Sequence, residues 1–309
     1  MDILIVGSLA YDSVQSPEGN FQNLLGGSAT YAGLASSFHN LRQEGDGVAL
    51  IGVVGKDFQE TDMKLLQSAG IDTSGIEVAD GETFRWVGSY HGDMAEAKTH
   101  ETHLNVFEHF NPQVPAGMRE PKITFCANLH PSLQNQVIEQ TKPTRCTILD
   151  SMNLWIDIAS KELLNVMKKV DIVVLNDGEI KMLAGDSNLV RAGNKVRGMM
   201  NDGILIIKKG EHGVLAIHPD GLIVLPAFPT ETVVDPTGCG DTFAGTLASR
   251  LALGEGEVSL DELKSALVHA TVTASFTLQS FGVNALHLLE EGVYTGRIES
   301  YMKMTGTGK

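Results

Sequence analysis

Cysteine is scarce: the 309-residue chain has only three, at Cys126, Cys146 and Cys239. None of them forms the Cys-x-x-Cys spacing from which zinc sites and redox motifs are built. An odd number of scattered cysteines also argues against the disulfide frameworks of small secreted proteins. The sequence therefore predicts a protein of a reducing compartment.

Basic residues are also few, since 23 lysines and arginines stand against 38 aspartates and glutamates, for a formal net charge of −15. A chain of this charge repels the phosphate backbone of nucleic acids, and no run of basic residues offsets that repulsion locally. We expect no nucleic-acid partner. A phosphate-bearing ligand would need a site built from backbone amides and one or two basic side chains.

Long uncharged apolar runs are missing as well. No stretch approaches the roughly 20 residues that a helix needs to cross a bilayer. The first residues, Met1–Gly7, lack the basic segment of a secretory signal and are predicted to contain a first strand. We expect a cytoplasmic protein without a membrane partner.

Short apolar runs do recur along the chain, with helical segments between many of them. The runs are Ile3–Val6, Val48–Val54, Ile123–Ala127, Thr147–Asp150, Ile172–Leu175 and Ile204–Lys208. The helical segments are Ser28–Phe38, Thr61–Ala69, Leu133–Thr141, Lys161–Lys169 and Val190–Met200. Continuous apolar runs are typical of strands covered on both faces, so the alternation favours a single α/β domain around a mostly parallel sheet. Residues 11–23 and 83–110 interrupt it and are predicted to form a small separate sheet.

The sharpest local signal is Val234–Gly245, V-D-P-T-G-C-G-D-T-F-A-G, a turn-rich segment that leads into an apolar helix. Backbone N–H groups at a helix N-terminus bind anions, and glycines let a phosphate approach the backbone closely. Asp241 at this position could take a proton from an attacking hydroxyl. An ordinary helix N-cap explains Asp241 equally well on local grounds.

This segment resembles the carboxy-terminal D-T-x-G-A-G-D signature of the PfkB, or ribokinase-like, carbohydrate kinases, with Pro236 and Cys239 as departures. The resemblance implies a ribokinase-like fold over residues 1–309, with a central sheet flanked by helices and a small β-sheet lid at about 11–23 and 83–110. It implies Asp241 as catalytic base and an anion hole formed by Gly238, Cys239 and Gly240. The implied activity is transfer of the γ-phosphoryl group of ATP to a hydroxyl of a small polyol.

Two segments near the amino terminus carry the resemblance on the acceptor side. Gly7–Asp12 is similar to the family's G-S-x-N-x-D, and Gly26–Ala32 to its G-G-x-x-x-N-x-A. The resemblance implies that the acceptor is bound by Asp12, Gly26, Gly27 and Tyr31. Ala10 and Tyr31 replace asparagines of these motifs, so that two polar contacts of sugar kinases are missing. A sugar is the first expectation for the acceptor, and a nucleoside or a cyclitol such as inositol stays open.

Further motifs concern the nucleotide and the metal ions. Asn176–Glu179 matches the family's N-x-x-E, which implies that Asn176 lies near phosphate and that Glu179 orients Mg²⁺, commonly through water. The strand and G-x-x-G element at Ile206–Gly213 and the segment Ala270–Gly282 imply nucleotide contacts by Lys209, Gly210, Gly213 and Gly282. Either lysine of this element, Lys208 or Lys209, could reach a phosphate, and a solvent-facing lysine is equally consistent with the sequence. Asp235 stands where relatives help to bind a monovalent cation such as K⁺.

Two further hypotheses concern partners and function class. In several relatives the lid supplies a dimer interface, which suggests a homodimer formed through the lid here. The chain could instead be a sugar- or nucleotide-binding sensor without turnover, although the presence of Asp241, Asn176 and Glu179 argues for an enzyme.

Overall fold

The structure, a computed structural model, describes residues 1–92, 94 and 97–308. Three residues of the predicted lid segment 83–110, namely Asp93, Ala95 and Glu96, lie outside the described residues. The strands, numbered in chain order, are β1 Ile3–Val6, β2 Ala10–Ser16, β3 Gly19–Gly26, β4 Val48–Gly55, β5 Ile71–Ala79, β6 Phe84–Tyr90, β7 Ala97–His103, β8 Ile123–Cys126, β9 Cys146–Asp150, β10 Ile172–Asn176, β11 Ile204–Lys208, β12 Val214–His218 and β13 Gly221–Leu225.

The α-helices follow the same numbering. They are α1 Ser28–Arg42, α2 Glu60–Ser68, α3 Pro131–Gln140, α4 Asn153–Ile158, α5 Ser160–Met167, α6 Asp177–Ala184, α7 Leu189–Arg197, α8 Cys239–Leu251, α9 Leu260–Thr277, α10 Asn284–His287 and α11 Glu291–Thr305. Within the described part of the chain, no helix combines the length and the apolar character that crossing a membrane requires.

Nine strands form the main sheet in the order β13-β12-β11-β10-β9-β8-β1-β4-β5. The strands from β11 to β5 in this order are parallel to one another. At one edge of the sheet, β12 pairs antiparallel with β11, and β13 pairs antiparallel with β12. Alternate residues of β1 enter different cores, because Ile3 and Ile5 pack on one face of the sheet and Leu4 and Val6 on the other. This two-sided burial explains the continuous apolar runs in the sequence.

The second sheet has four strands in the order β3-β2-β6-β7. It contacts the main domain through a small apolar cluster that includes Val14, Tyr90 and Phe281. Two polar contacts add to this: the Ser16 hydroxyl donates to the Val234 carbonyl at 2.8 Å, and Arg85 pairs with Asp57 at 2.6 Å. The predicted fold class, a mostly parallel sheet with helices and a small additional sheet, is confirmed.

Helices α1 and α8 pack against each other backbone to backbone. A Cβ on Gly245 of α8 would overlap the Ala32 carbonyl oxygen of α1, so only glycine permits this approach. The Ser36 hydroxyl of α1 donates to the Gly245 carbonyl at 2.7 Å. Because α1 begins directly after Gly27 and α8 begins at Cys239, this contact fixes the two helix N-termini relative to each other.

Candidate active site

The segment with the sharpest sequence signal forms a loop that ends in the first turn of α8. Gly238 precedes the helix in a left-handed conformation, with φ of 76°. A Cβ at this position would also overlap the ring of Tyr31, which is buried directly beneath the loop. The sequence requires glycine here for two reasons, the backbone conformation and the close approach of an aromatic ring. We refer to residues 235–241 as the anion loop.

The backbone amides of the anion loop are used unequally. The Cys239 N–H donates to the Pro236 carbonyl at 3.1 Å and closes a turn, and the Gly238 carbonyl accepts from the Thr242 N–H at 2.8 Å. The Gly240 N–H lies in the first turn of α8, where helix geometry provides no acceptor. The three-amide anion hole stays a prediction; the Cys239 N–H is already engaged, whereas the Gly238 and Gly240 N–H groups have no acceptor among the described residues.

The Cys239 side chain points inward, not toward a ligand. Its thiol contacts the Ala274 carbonyl at 3.8 Å, and burial together with the charges of Asp235 and Asp241 raises the pKa of Cys239 well above its usual range. The raised pKa disfavours the thiolate form, and the inward contact is that of a small packing residue.

Asp241 lies in the first turn of α8 and is only partly exposed. Burial, and then the negative charge of Asp150, raise the pKa of Asp241 to about 7, while Lys208 and a backbone hydrogen bond act in the opposite direction. A carboxylate with a pKa near neutrality exchanges protons easily at physiological pH, which is the property a general base needs.

Asp12 lies in β2, at the junction of the small sheet with α1. Its carboxylate packs so closely on Gly26 that a Cβ there would overlap it, and the Gly27 N–H is a hydrogen-bond donor to it. Burial, followed by the charges of Asp235 and Asp241, raises the pKa of Asp12 to about 7. The carboxylates of Asp235 and Asp241 are thus near enough to Asp12 for their charges to act on it. The roles of Asp12, Gly26 and Gly27 in acceptor binding stay predictions.

The burial of Asp12 and the neighbouring charges of Asp235 and Asp241 lead to a prediction about the stability of the fold. A carboxyl group whose pKa rises from 3.8 to about 7 on folding binds more protons in the folded state, so its contribution to stability falls as pH rises through that interval. We expect Asp12→Asn to raise the free energy of unfolding at pH 8, with a gain that shrinks as pH is lowered towards 4. Urea unfolding at several pH values measures this. The exposed Asp157→Asn serves as control, and a lower stability of Asp12→Asn at pH 8 would contradict the prediction.

Tyr31 is almost completely buried, with 1% of its surface exposed. Its ring packs under Gly238, and burial together with the charges of Asp12 and Asp235 raises its pKa well above the ordinary value. Because the ring of Tyr31 supports the anion loop, only its hydroxyl is left for the predicted contact with the acceptor.

Asp235 holds the anion loop in shape. Its carboxylate oxygens accept hydrogen bonds from the Thr237 N–H at 2.9 Å and from the Gly282 N–H at 3.5 Å. Gly282 has φ of 61°, and a Cβ added to it would lie 3.3 Å from the Leu24 Cβ of the small sheet. The predicted roles of Asp235 toward a cation and of Gly282 toward the nucleotide are untested, and both residues lie where the anion loop meets the small sheet.

A residue of the small sheet that sequence reasoning did not assign to the site contacts the same loop. The Thr237 hydroxyl donates to the Tyr90 hydroxyl at 3.2 Å, and both side chains are at least partly buried. Tyr90 ends β6, so the position of the small sheet and the shape of the anion loop are physically linked.

Asn176 and Glu179 form a capping box at the start of α6. The Asn176 side chain accepts from the Glu179 N–H at 2.8 Å, and Glu179 Oε2 accepts from the Asn176 N–H at 2.7 Å. These two residues thus stabilise the N-terminus of α6; their roles toward phosphate and Mg²⁺ stay predictions. Burial raises the pKa of Glu179 to about 7. The charge of Lys208 lowers this pKa, and the charge of Asp150 raises it.

An ion pair between Asp150 and Lys208 lies beside the anion loop, and sequence reasoning did not identify it. Lys208 Nζ is 2.9 and 3.1 Å from the two carboxylate oxygens of Asp150. Both residues end buried parallel strands, β9 and β11, at the same edge of the sheet. A charged residue at the end of an apolar run was the signal that could have identified the pair.

The nucleotide element predicted at Lys209, Gly210 and Gly213 forms a tight turn between β11 and β12. Gly210 and Gly213 both have positive φ, at 51° and 81°, and the Lys209 N–H donates to the Gly213 carbonyl at 2.8 Å. Their contacts with a nucleotide stay predictions. The lysine next to the anion loop is Lys208, because a Cβ on Gly240 would lie 3.0 Å from its Nζ.

Comparison with known proteins finds relatives in sequence and in fold. The chain is 28% identical to a cytidine kinase of Thermococcus kodakarensis over 250 residues, which covers 79% of this chain and 86% of that protein. Its fold matches a Burkholderia thailandensis nucleoside kinase in complex with inosine, with a TM-score of 0.78, 20% identity and coverage of 98% and 99% of the two chains. It also matches a Thermotoga maritima ribokinase, with a TM-score of 0.73, 17% identity and coverage of 98% and 99%.

The family comparison covers almost the whole sequence. Residues 2–289 match the pfkB family carbohydrate kinase model, a span that includes the anion loop, the capping box and the acceptor-side glycines. The chain therefore belongs to the pfkB family of carbohydrate kinases, which are phosphotransferases with alcohol acceptors.

Proposed function

We propose that the protein transfers the γ-phosphoryl group of ATP to a hydroxyl of a small molecule that contains a ribose-like ring, either a free sugar or a nucleoside. The observation that carries the proposal is the placement of Asp241 at the end of the anion loop, in the first turn of α8, with a pKa of about 7 and near enough to Asp12 for its charge to act on that carboxyl group. A base of this kind contributes about 10²–10⁴-fold to the rate.

The residues divide the reaction between them. Asp12 accepts hydrogen bonds from the acceptor hydroxyls, and Asp241 takes the proton of the attacking hydroxyl. The acceptor oxygen forms a bond to the γ-phosphorus while the bond from that phosphorus to the bridging oxygen breaks, and the electron pair leaves with ADP. The Gly240 N–H and the N-terminal end of α8 stabilise the charge on the transferred group.

The family resemblance implies that Glu179 orients Mg²⁺, and the residues around Glu179 fit that expectation. Mg²⁺ retains several waters and is bound through one or two carboxylates plus substrate phosphates. Glu179 has Oε2 engaged with the Asn176 N–H and lies close to Lys208, so it would hold a hydrated Mg²⁺ from the edge of the phosphate site. Bound there, the ion would neutralise phosphate charge. The monovalent cation at Asp235 is part of the same proposal.

The choice between acceptors favours nucleosides on two grounds. The relative that covers 79% of this chain is named a cytidine kinase. Ala10 and Tyr31 stand where sugar kinases carry asparagines, which removes polar contacts that a free sugar would use.

We keep the homodimer through the small sheet as a further expectation, since every residue of its edge strand β7 is exposed.

Coupled ADP release with Mg-ATP tests the proposal across ribose, cytidine, inosine, adenosine and inositol. We expect turnover that depends on the acceptor and is fastest with a nucleoside. Turnover with ribose alone would make the protein a sugar kinase. ATP binding without turnover on any acceptor would contradict the proposal and favour the sensor hypothesis.

A further inference from the structure

We propose that Asp150 and Lys208 act as one unit in phosphoryl transfer: Lys208 binds the γ-phosphoryl group, and Asp150 holds the lysine away from the base Asp241. This inference rests on the proposed function and adds two residues to it. It makes Lys208 a substrate-binding residue and Asp150 a positioning residue.

The geometry directs Lys208 toward the transferred group. Its amine approaches the anion loop so closely that a Cβ on Gly240 would lie 3.0 Å away. Gly240 supplies the amide that helix geometry leaves without an acceptor. An ammonium group and an amide from two different elements therefore lie close together, which suits the binding of a phosphoryl group.

The surrounding charges favour an anion at this position. The side chain of Lys208 is 18% exposed, whereas that of Asp150 is 4% exposed. The carboxylates that act on Lys208 are Asp150, Glu179 and Asp241. In a chain of net charge −15, a dianionic terminal phosphate would meet strong repulsion here without a local cation.

Asp150 accounts for the position of the lysine. It binds Lys208 through both carboxylate oxygens, and it is itself fixed by the Ser151 N–H, which donates to Oδ1 at 2.9 Å. Without Asp150, the nearest carboxylates for the ammonium group would be those of Glu179 and Asp241. An ion pair between Lys208 and Asp241 would stabilise the deprotonated carboxylate and make Asp241 a weaker base.

A purely structural role is the competing explanation, because the pair bridges β9 and β11 across β10 at a buried edge of the sheet. The two explanations differ in measurable ways. A structural strap affects stability, whereas a phosphate-binding lysine affects the affinity for the γ-phosphate and the pH dependence of turnover.

The first experiment measures binding, with Lys208→Met and Lys208→Arg. We expect Lys208→Met to lose at least about tenfold in affinity for a non-hydrolysable ATP analogue with a γ-phosphate, while ADP affinity changes by about twofold or less; Lys208→Arg should recover part of the loss. Lys169→Met, which breaks the exposed pair with Glu139, is the matched control. Because Lys208→Met leaves a buried carboxylate unpaired, the double variant Asp150→Asn/Lys208→Met tests the same loss without that charge.

The second experiment measures kcat against pH. Asp150 raises the pKa of Asp241 and Lys208 lowers it. We therefore expect the acidic limb to move to lower pH in Asp150→Asn and to higher pH in Lys208→Met, with kcat reduced in both. Unchanged analogue affinity and an unmoved acidic limb in folded variants of an active enzyme would overturn the inference. Absence of turnover in the wild-type protein would instead contradict the proposed function, and the binding experiment would still decide the role of Lys208.

Discussion

Replacing Asp241 by asparagine is expected to lower kcat for acceptor-dependent ADP release by about 10²–10⁴-fold. The amide has nearly the shape of the carboxylate but cannot accept the hydroxyl proton. The KM for ATP should change little, because no role of Asp241 in nucleotide binding is proposed. Steady-state kinetics with the best acceptor of the panel measures both parameters.

The pH profile gives this prediction a second readout. In the wild-type enzyme, turnover should rise with pH through about 7, as Asp241 loses its proton. The residual activity of Asp241→Asn should lack this limb. Asp261→Asn, an aspartate in the first turn of α9, is the matched control. Full activity in Asp241→Asn would exclude it as the base.

Replacing Gly238 by alanine is expected to lower kcat by about 10²–10³-fold, the effect of removing one donor from an oxyanion site. Alanine at φ of 76° carries strain of about 1 kcal/mol or more, and its Cβ would overlap the Tyr31 ring. The loop and the first turn of α8 must then move, which displaces the Gly240 amide and the Asp241 carboxylate together.

A matched glycine separates the two causes. Gly256 has φ of 67°, and a Cβ added to it would have no neighbouring atom within 4 Å, so Gly256→Ala has the backbone strain without the overlap. We expect this control to lose stability slightly and to keep its turnover. Equal kinetic effects of both substitutions, or normal turnover in Gly238→Ala, would show that the contact with Tyr31 does not shape the site.

The sequence predicts the parallel part of the main sheet well, because continuous apolar runs specify strands that are buried on both faces. The helices α1, α2, α3, α5 and α7 match their predicted segments to within about one turn. Strand β5 is missing from the prediction, since it lies at an edge and alternates between exposed and partly buried residues. The β12–β13 hairpin is also missing, because it follows β11 without an intervening helix.

The site is predictable where residues adjacent in sequence act together. The anion loop, the capping box of Asn176 and Glu179, and the acceptor-side glycines are all local segments. The pair of Asp150 and Lys208 is not local: it depends on the order of strands in the sheet, which no single segment encodes. The burial of Tyr31 under Gly238 likewise arises only when α1 packs on α8.

The contact between Gly245 and Ala32 has an evolutionary consequence. Since the two backbones touch, no side chain can be enlarged or trimmed there to change the spacing between the helix N-termini. Mutations that alter the preferred acceptor should therefore accumulate in the small sheet formed by β2, β3, β6 and β7, where side chains can change without altering the spacing of the two helices. A lineage with this architecture can exchange one substrate for another while inheriting its phosphoryl-transfer apparatus intact.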